Sequence, residues 1–193
     1  MNTPCTPHPL AHPILFKHKR AILSVFRDVI GINDIDHLSI ACITHTNEVM
    51  FLSHTPSIEY HLMTSPLWSY DLLHTPHFYK NDDAKSWSEL YHPDQYADLH
   101  AIKQAKHGFT TGFSIPIKRH GMHLVYSFAT KSPNIHSNVF CLEKHDEFLR
   151  LGHYCFNQLS YLVLPHSAPR PHVKLVVNNA RIPSVHSKNI EES

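Results

Sequence analysis

The chain has 193 residues, a net charge of +1 when its histidines are neutral, and 42% hydrophobic residues. Such a composition fits one globular domain with a sizeable core and argues against disorder along most of its length. No basic block stands out, so direct contact with nucleic acid is not expected. An apolar run of about 18 residues, the length a membrane helix needs, is missing as well, so no membrane span is predicted.

Cysteine usage and the amino terminus indicate a cytoplasmic protein. The four cysteines (Cys5, Cys42, Cys141 and Cys155) form no C-x-x-C pair. The first residues contain no apolar segment of the kind that directs secretion. We therefore expect reduced thiols rather than disulfides.

Histidine is abundant, with 20 residues spread from end to end. The closest pairs are His74 with His77 and His120 with His123. Neither pair comes with the carboxylate or cysteine spacing of a known zinc motif. We interpret the histidines as compositional bias and expect neither a metal site nor a cofactor.

In chain order, residues 1–13 contain four prolines and are predicted to form an irregular arm. Residues 14–30 carry a helical stripe formed by Leu15, Ile22 and Phe26, so the sequence predicts a helix there. Residues 37–45 and 48–53 then read as two strands joined by a turn at Thr46–Asn47.

A second hairpin is predicted later in the chain. Residues 109–117 and 122–130 are rich in β-branched and aromatic side chains. Gly121 provides a residue that tolerates positive φ at the turn between them. Two hairpins, one early and one late, favour a mostly antiparallel sheet with helices packed on it.

The middle of the chain, residues 55–107, is predicted to consist of short helices and loops. It is crowded with aromatic side chains, which can form a core beneath loops or the apolar walls of a pocket. In the second case, hydroxyl, indole and carboxylate groups would supply the polar contacts to a ligand. The residues concerned are Tyr60, Trp68, Tyr70, Asp71, Phe78, Tyr79, Trp87, Tyr91 and Tyr96.

Residues 134–164 have the heptad-like apolar spacing of a long helix, with Leu142, Leu149 and Phe156 on one side. We expect that face to pack on the sheet; a dimer interface is the rival use of part of it. Pro165 ends the pattern, and residues 166–193 are interpreted as a tail that docks in part.

Residue patterns typical of catalysis are missing. The sequence has no G-x-S-x-G, P-loop, G-x-G-x-x-G or H-E-x-x-H motif. Cys42 or Cys155 could be paired with a histidine as a nucleophile, but with 20 histidines such a pairing carries little weight. We do not expect an enzyme.

The second hairpin resembles a known family. The run His-Gly-Phe-Thr-Thr-Gly-Phe-Ser-Ile-Pro-Ile, a short turn, and a strand ending Tyr-Ser-Phe-Ala are similar to the ligand-binding domain of LuxR-type quorum-sensing regulators. The order of the other elements agrees over residues 14–165. The resemblance implies an α/β (α+β) fold: an α-β-α sandwich with a mostly antiparallel central sheet, related to GAF and PAS sensors. It also implies a cavity for a small apolar signal molecule of the acyl-homoserine-lactone kind.

The resemblance also implies site residues. Asp71 is the best match for the family's ligand-binding aspartate, since it precedes Trp87, the match for a pocket-closing tryptophan. Leu72 stands where the family has proline, and no tryptophan follows Pro56; Ile58, Glu59 or Tyr60 falls near that place. The complete predicted ligand-binding set is Tyr60, Trp68, Tyr70, Asp71, Trp87, Phe113 and Ser127.

Family members continue into a DNA-binding helix-turn-helix, and this sequence ends at Glu191-Glu192-Ser193, about where that domain would begin. We expect either a sensor domain without a DNA-binding half or a chain cut at that boundary. The resemblance then implies a sensor that regulates transcription as a homodimer, or as a heterodimer with a full-length relative. The rival hypothesis is a degenerate sensor fold without a ligand, which serves as a protein–protein interaction module or bacterial effector.

Overall fold

The computed structural model describes residues 3–133, 135 and 143–164. Among these residues, six strands form one sheet in the order β1-β3-β2-β6-β5-β4, and only the β1–β3 pair is parallel. The strands are β1 (Thr6–Pro7), β2 (His37–Ile43), β3 (Glu48–Ser53), β4 (Lys85–Ser86), β5 (Thr111–Arg119) and β6 (Met122–Thr130).

The described α-helices surround this sheet. They are α1 (Ala11–Lys17), α2 (Lys19–Phe26), α3 (Pro56–Met63), α4 (Pro76–Tyr79), α5 (Trp87–Leu90), α6 (Tyr96–Lys103) and α7 (His145–Leu159). Short 3-10 turns connect them at Ile32–Asp34, Pro66–Tyr70, Leu72–His74, Pro93–Gln95, Ala105–His107 and Ser160–Leu162. No helix in the described ranges is long and apolar enough to cross a membrane.

Both predicted hairpins are present. The β5–β6 turn uses His120 and Gly121, both with positive φ (52° and 74°), as a tight two-residue connection between twisted strands requires. The β2–β3 turn includes Asn47, which also has positive φ (63°). β2 then pairs with β6, so the two hairpins form one continuous sheet.

Helices cover both faces of the sheet, which confirms the predicted α-β-α sandwich. On one face, α2 and α7 pack their apolar stripes against the strands, with Phe26, Phe148 and Phe156 fully buried. The other face is covered by the segment from α3 to α6, which contributes Leu62, Leu90 and other buried side chains. The central strands are therefore buried on both sides.

The amino-terminal region differs from the predicted irregular arm. Thr6 donates a backbone hydrogen bond to the carbonyl of Asn47, just before β3 (3.0 Å), and His8 donates one to Val49 in β3 (2.9 Å). Pro7, which has no N–H, lies between them at the sheet edge. The predicted helix over 14–30 begins earlier, at Ala11, and is divided at His18 into α1 and α2. Pro13 is tolerated because first-turn N–H groups have no partner within the helix.

The long helix predicted over 134–164 corresponds in part to α7, which continues into the turn at Ser160–Leu162. Residues 134, 136–142 and 165–193, which include the predicted tail, lie outside the described residues.

Candidate functional site

A small cavity lies between the sheet and the α3–α6 layer. Its volume is about 20 Å³, enough for roughly one water molecule. Sheet residues such as Ala41 and Phe51 and helical-layer residues such as Ile58 supply apolar wall. The polar groups in its lining are His37, Ser39, Glu59, Asp71, His74, Lys103 and Ser127.

Asp71 and Lys103 form a buried ion pair in this lining. Nζ of Lys103 donates to Oδ2 of Asp71 at 2.7 Å, and both side chains are almost fully inaccessible. Burial by itself raises the pKa of Asp71, but the Lys103 charge and the hydrogen bonds to the carboxylate outweigh it and hold that pKa below its ordinary value. Removing one partner of such a pair typically costs about 3–5 kcal/mol, because the other charge stays buried alone.

Two aromatic rings complete the surroundings of the Lys103 ammonium. Nζ lies 4.8 Å from the ring centroid of Trp87 and 5.2 Å from that of Tyr91. Both distances are within the range of cation–π attraction. The hydroxyl of Tyr91 donates to Oε1 of Gln104 at 2.9 Å, which holds that ring in place.

Trp87 is positioned by local sequence and by the sheet. It opens α5, whose first turn is stabilised by a capping box between Ser86 and Glu89. Its indole N–H donates to Oγ of Ser114 at 3.1 Å. The ring lies over Gly112, where any Cβ would overlap it.

Ser127 connects Trp87 to the cavity wall. Its Oγ lies 2.7 Å from Oγ of Ser114, its cross-strand neighbour, and Ser114 accepts the Trp87 indole hydrogen bond. The indole and the two hydroxyls therefore form a continuous hydrogen-bonded chain beside the cavity.

Glu59 on α3 brings a second buried carboxyl group to the cavity. Burial raises its pKa to about 7, although hydrogen bonds from Ser53 and Ser39 and the Lys103 charge act in the opposite direction. Its Oε2 atom has no hydrogen-bond partner among the described residues. A buried polar atom without a partner typically costs about 1–3 kcal/mol, so this oxygen is available to a water or ligand.

Two buried histidines also line the cavity. Burial lowers the pKa of His37 to about 3 and that of His74 to about 4, so both rings are neutral near pH 7. His74 stacks on Trp68 with centroids 3.7 Å apart, and its Nδ1 lacks a partner among the described residues. In the described part of the chain, no group of three or more histidine, cysteine or acidic residues is arranged to hold a metal ion.

The structure brings three of the seven predicted site residues to the cavity: Asp71, Trp87 and Ser127. Phe113 instead faces α7 and packs on Phe148, because successive side chains of a strand point to opposite faces. Gly112 and Ser114, its neighbours in β5, are the residues that contact Trp87.

The other three predicted residues also lie outside the cavity lining. Tyr60 is 42% exposed and packs edge-on against Phe16 on the outer surface of α3. The half-buried Trp68 donates its indole N–H to the carbonyl of Cys5 at 2.7 Å, and so binds the amino-terminal segment. Tyr70 packs against the ring of His92.

The predicted site set did not include Glu59, His37, His74 or Lys103, although Glu59 is one of the three residues near the place of the family's tryptophan. For Lys103 a signal existed: it follows Leu99 by four residues, and residues at that spacing share one helix face. Both side chains are buried. Glu59 directly follows the buried Ile58 on α3, but no comparable spacing in the sequence marks Glu59 as buried.

A wider, open cleft of about 280 Å³ lies next to the cavity. Its lining is largely polar and includes Gln104, Thr110, Gly112 and the ring of Tyr96. Gly112 lies against the Trp87 ring, which itself lines the cavity. The linings of the cleft and the cavity therefore meet at the Gly112–Trp87 contact.

No model of a known protein family matches the sequence, and no curated protein matches it significantly. Solved structures do match. The crystal structure of Escherichia coli SdiA has 14% identity and a TM-score of 0.52, over 82% of this chain and 70% of SdiA. The chain shares the fold of SdiA.

Two further structures were found with lower TM-scores. SdiA in complex with octanoyl-rac-glycerol has 14% identity and a TM-score of 0.49, over 78% of this chain and 66% of that one. CepR2 from Burkholderia cenocepacia has 9% identity and a TM-score of 0.43, over 79% of this chain and 87% of CepR2. It is described as an N-acylhomoserine lactone-dependent LuxR family transcription factor. At 14% identity and a TM-score of 0.52, the likeness to SdiA establishes a shared α-β-α sandwich fold.

Proposed function

We propose that the protein is a small-molecule-sensing regulatory domain that acts in the cytoplasm by binding and dimerisation rather than by catalysis. The observation that carries this proposal is the convergence of Asp71, Trp87 and Ser127 on one cavity, where polar atoms of Glu59 and His74 also lie without a hydrogen-bond partner among the described residues. Polar atoms buried without partners are costly, and a bound molecule would supply the partners.

The volume of the cavity sets a condition on this function. A space of about 20 Å³ cannot hold a signal molecule, since ligand pockets are typically about 300–1,000 Å³. Binding must therefore move a side chain that now fills the interior, such as Lys103, or join the cavity to the neighbouring cleft beside Trp87. A ligand that stabilises the enlarged state would shift the population toward it.

Native mass spectrometry of protein purified from its own host tests this function, because it reports a retained small molecule and the oligomeric state together. We expect a retained mass in the wild type that is reduced in Asp71→Asn and Trp87→Ala. Tyr60→Ala is the matched control, since Tyr60 lies outside the cavity and should keep the mass. Equal retention in all three variants would place the ligand elsewhere.

A second candidate function is a sensor fold that works without a ligand, as an interaction module. The observation in its favour is the Asp71–Lys103 pair, which fills the interior with the chain's own charges. Wild-type protein from the host that dimerises, or binds a full-length relative, with no retained small molecule would favour this function over sensing.

A further inference from the structure

The Lys103 ammonium occupies a cage built from a carboxylate and two aromatic faces. Oδ2 of Asp71 lies 2.7 Å from Nζ, and the ring centroids of Trp87 and Tyr91 lie 4.8 and 5.2 Å from it. Carboxylates and aromatic faces are the groups with which proteins hold organic ammonium ions. The groups of this cage are therefore those of an ammonium-binding site, and the Lys103 side chain of the same molecule occupies it.

The two aromatic walls are fixed by hydrogen bonds that do not involve Lys103. The indole N–H of Trp87 donates to Ser114 at 3.1 Å, and the hydroxyl of Tyr91 donates to Gln104 at 2.9 Å. The walls are thus tethered whether or not the Lys103 side chain lies between them.

A molecule that displaces Lys103 has to replace its charge. Asp71 is completely buried, and its neighbour His74 is neutral near pH 7, so Lys103 is the cation that balances the carboxylate. A neutral head group at this position would leave a buried anion unpaired, which is strongly disfavoured. An ammonium head group would preserve both the ion pair and the contacts with the rings.

We propose that the signal recognised at this site carries a primary alkylammonium group, which replaces Lys103 on Asp71 between Trp87 and Tyr91. This inference rests on the proposed sensing function and specifies its ligand class. It differs from the expectation of a neutral acyl-homoserine-lactone head group, for which the cage offers no complementary charge.

The cage can be tested by emptying it. Lys103→Ala removes the three methylene groups and the amine beyond Cβ, the atoms that propylammonium would restore. We expect millimolar propylammonium chloride to raise the melting temperature of Lys103→Ala by several degrees in a saturable manner. Propan-1-ol and sodium chloride at the same concentrations should have little effect. Wild-type protein should respond only at much higher concentrations, because propylammonium must first displace Lys103 from its cage, and Lys103→Ala/Asp71→Asn should not respond.

If Lys103→Ala does not fold in buffer, recovery of its circular dichroism on dilution from urea, with and without propylammonium, is the readout. The proposal is overturned if Lys103→Ala fails to respond, responds equally to propan-1-ol, or responds equally after Asp71→Asn. A neutral signal retained by host-purified protein would also overturn the ligand class while supporting sensing. Absence of any retained signal would count against sensing, whereas the cage result is measured independently of it.

Discussion

The Nζ atom of Lys103 lies 2.7 Å from Oδ2 of Asp71, and their side chains are only 4% and 1% exposed. The pair connects the end of α6 to the loop before the turn at Leu72–His74, and so holds two parts of the helical layer together over the sheet. The burial of the pair matters for stability, because an exposed ion pair contributes only about 0–1 kcal/mol to the free energy of unfolding.

Breaking this pair from either side should destabilise the protein. We expect Asp71→Asn and Lys103→Met each to reduce the free energy of unfolding by about 3–5 kcal/mol, because each leaves one polar group buried alone. The double variant should lose clearly less than the sum of the two, since it removes both charges. Urea titrations of the four proteins measure the coupling; strictly additive losses would show that the two groups do not interact.

Gly112→Ala should destabilise the protein by about 1–3 kcal/mol, because the new Cβ overlaps the Trp87 ring. Trp87→Phe alone creates space at the same contact, so the double variant Gly112→Ala/Trp87→Phe should recover part of the loss. Thermal unfolding gives the stabilities, and tryptophan fluorescence reports the displacement of the ring. A Gly112→Ala protein as stable as the wild type would contradict this packing.

Glu59 should make the wild type less stable as pH rises. Its folded-state pKa, raised by burial to about 7, lies above the ordinary value of 4.5, so the folded state binds the proton more tightly. The contribution of Glu59 to the free energy of unfolding is therefore fully present below about pH 4.5 and is lost as pH rises through 7. The loss is up to about 3 kcal/mol. Relative to Glu59→Gln, the wild type should lose stability between pH 5 and 8, measured by urea unfolding. Replacement of the exposed Glu143 by Gln is the control and should leave this slope unchanged.

His74 should make the protein less stable as pH falls, whereas Glu59 makes it less stable as pH rises. Burial lowers its pKa to about 4, below the ordinary 6.5, so the unfolded chain binds the proton more readily. Stability from this group is present above pH 6.5 and falls as pH decreases toward 4. We expect His74→Phe, which keeps a ring against Trp68, to lose less stability than the wild type between pH 6.5 and 4. The exposed His61→Phe should follow the wild type; an unchanged acid slope in His74→Phe would argue that the ring is protonated when folded.

The sandwich could be predicted because both hairpins carry local signals: β-branched runs and a turn residue that accepts positive φ. The side of the sheet that each residue faces could not be predicted in the same way. β5 is buried on both faces, and its residues from Thr111 to Pro116 show no alternation in burial. That is why Phe113 was assigned to the cavity while Gly112 and Ser114 contact Trp87. Lys103 was missed for a related reason: a lysine on a helix normally faces solvent, and here Asp71 and the two aromatic rings make its burial tolerable.

The position of β6 at the centre of the sheet has a consequence for how the chain folds. β2 and β3 can pair as soon as they are made, but β2 gains its second neighbour only when β6 is available, much later in the sequence. Until then the edge of β2 and the apolar side chains of Leu38 and Ile40 lack their final cover. Pairing over so long a separation in sequence closes a large loop and slows folding. During synthesis, the early hairpin is therefore the part of the molecule that most needs protection from aggregation.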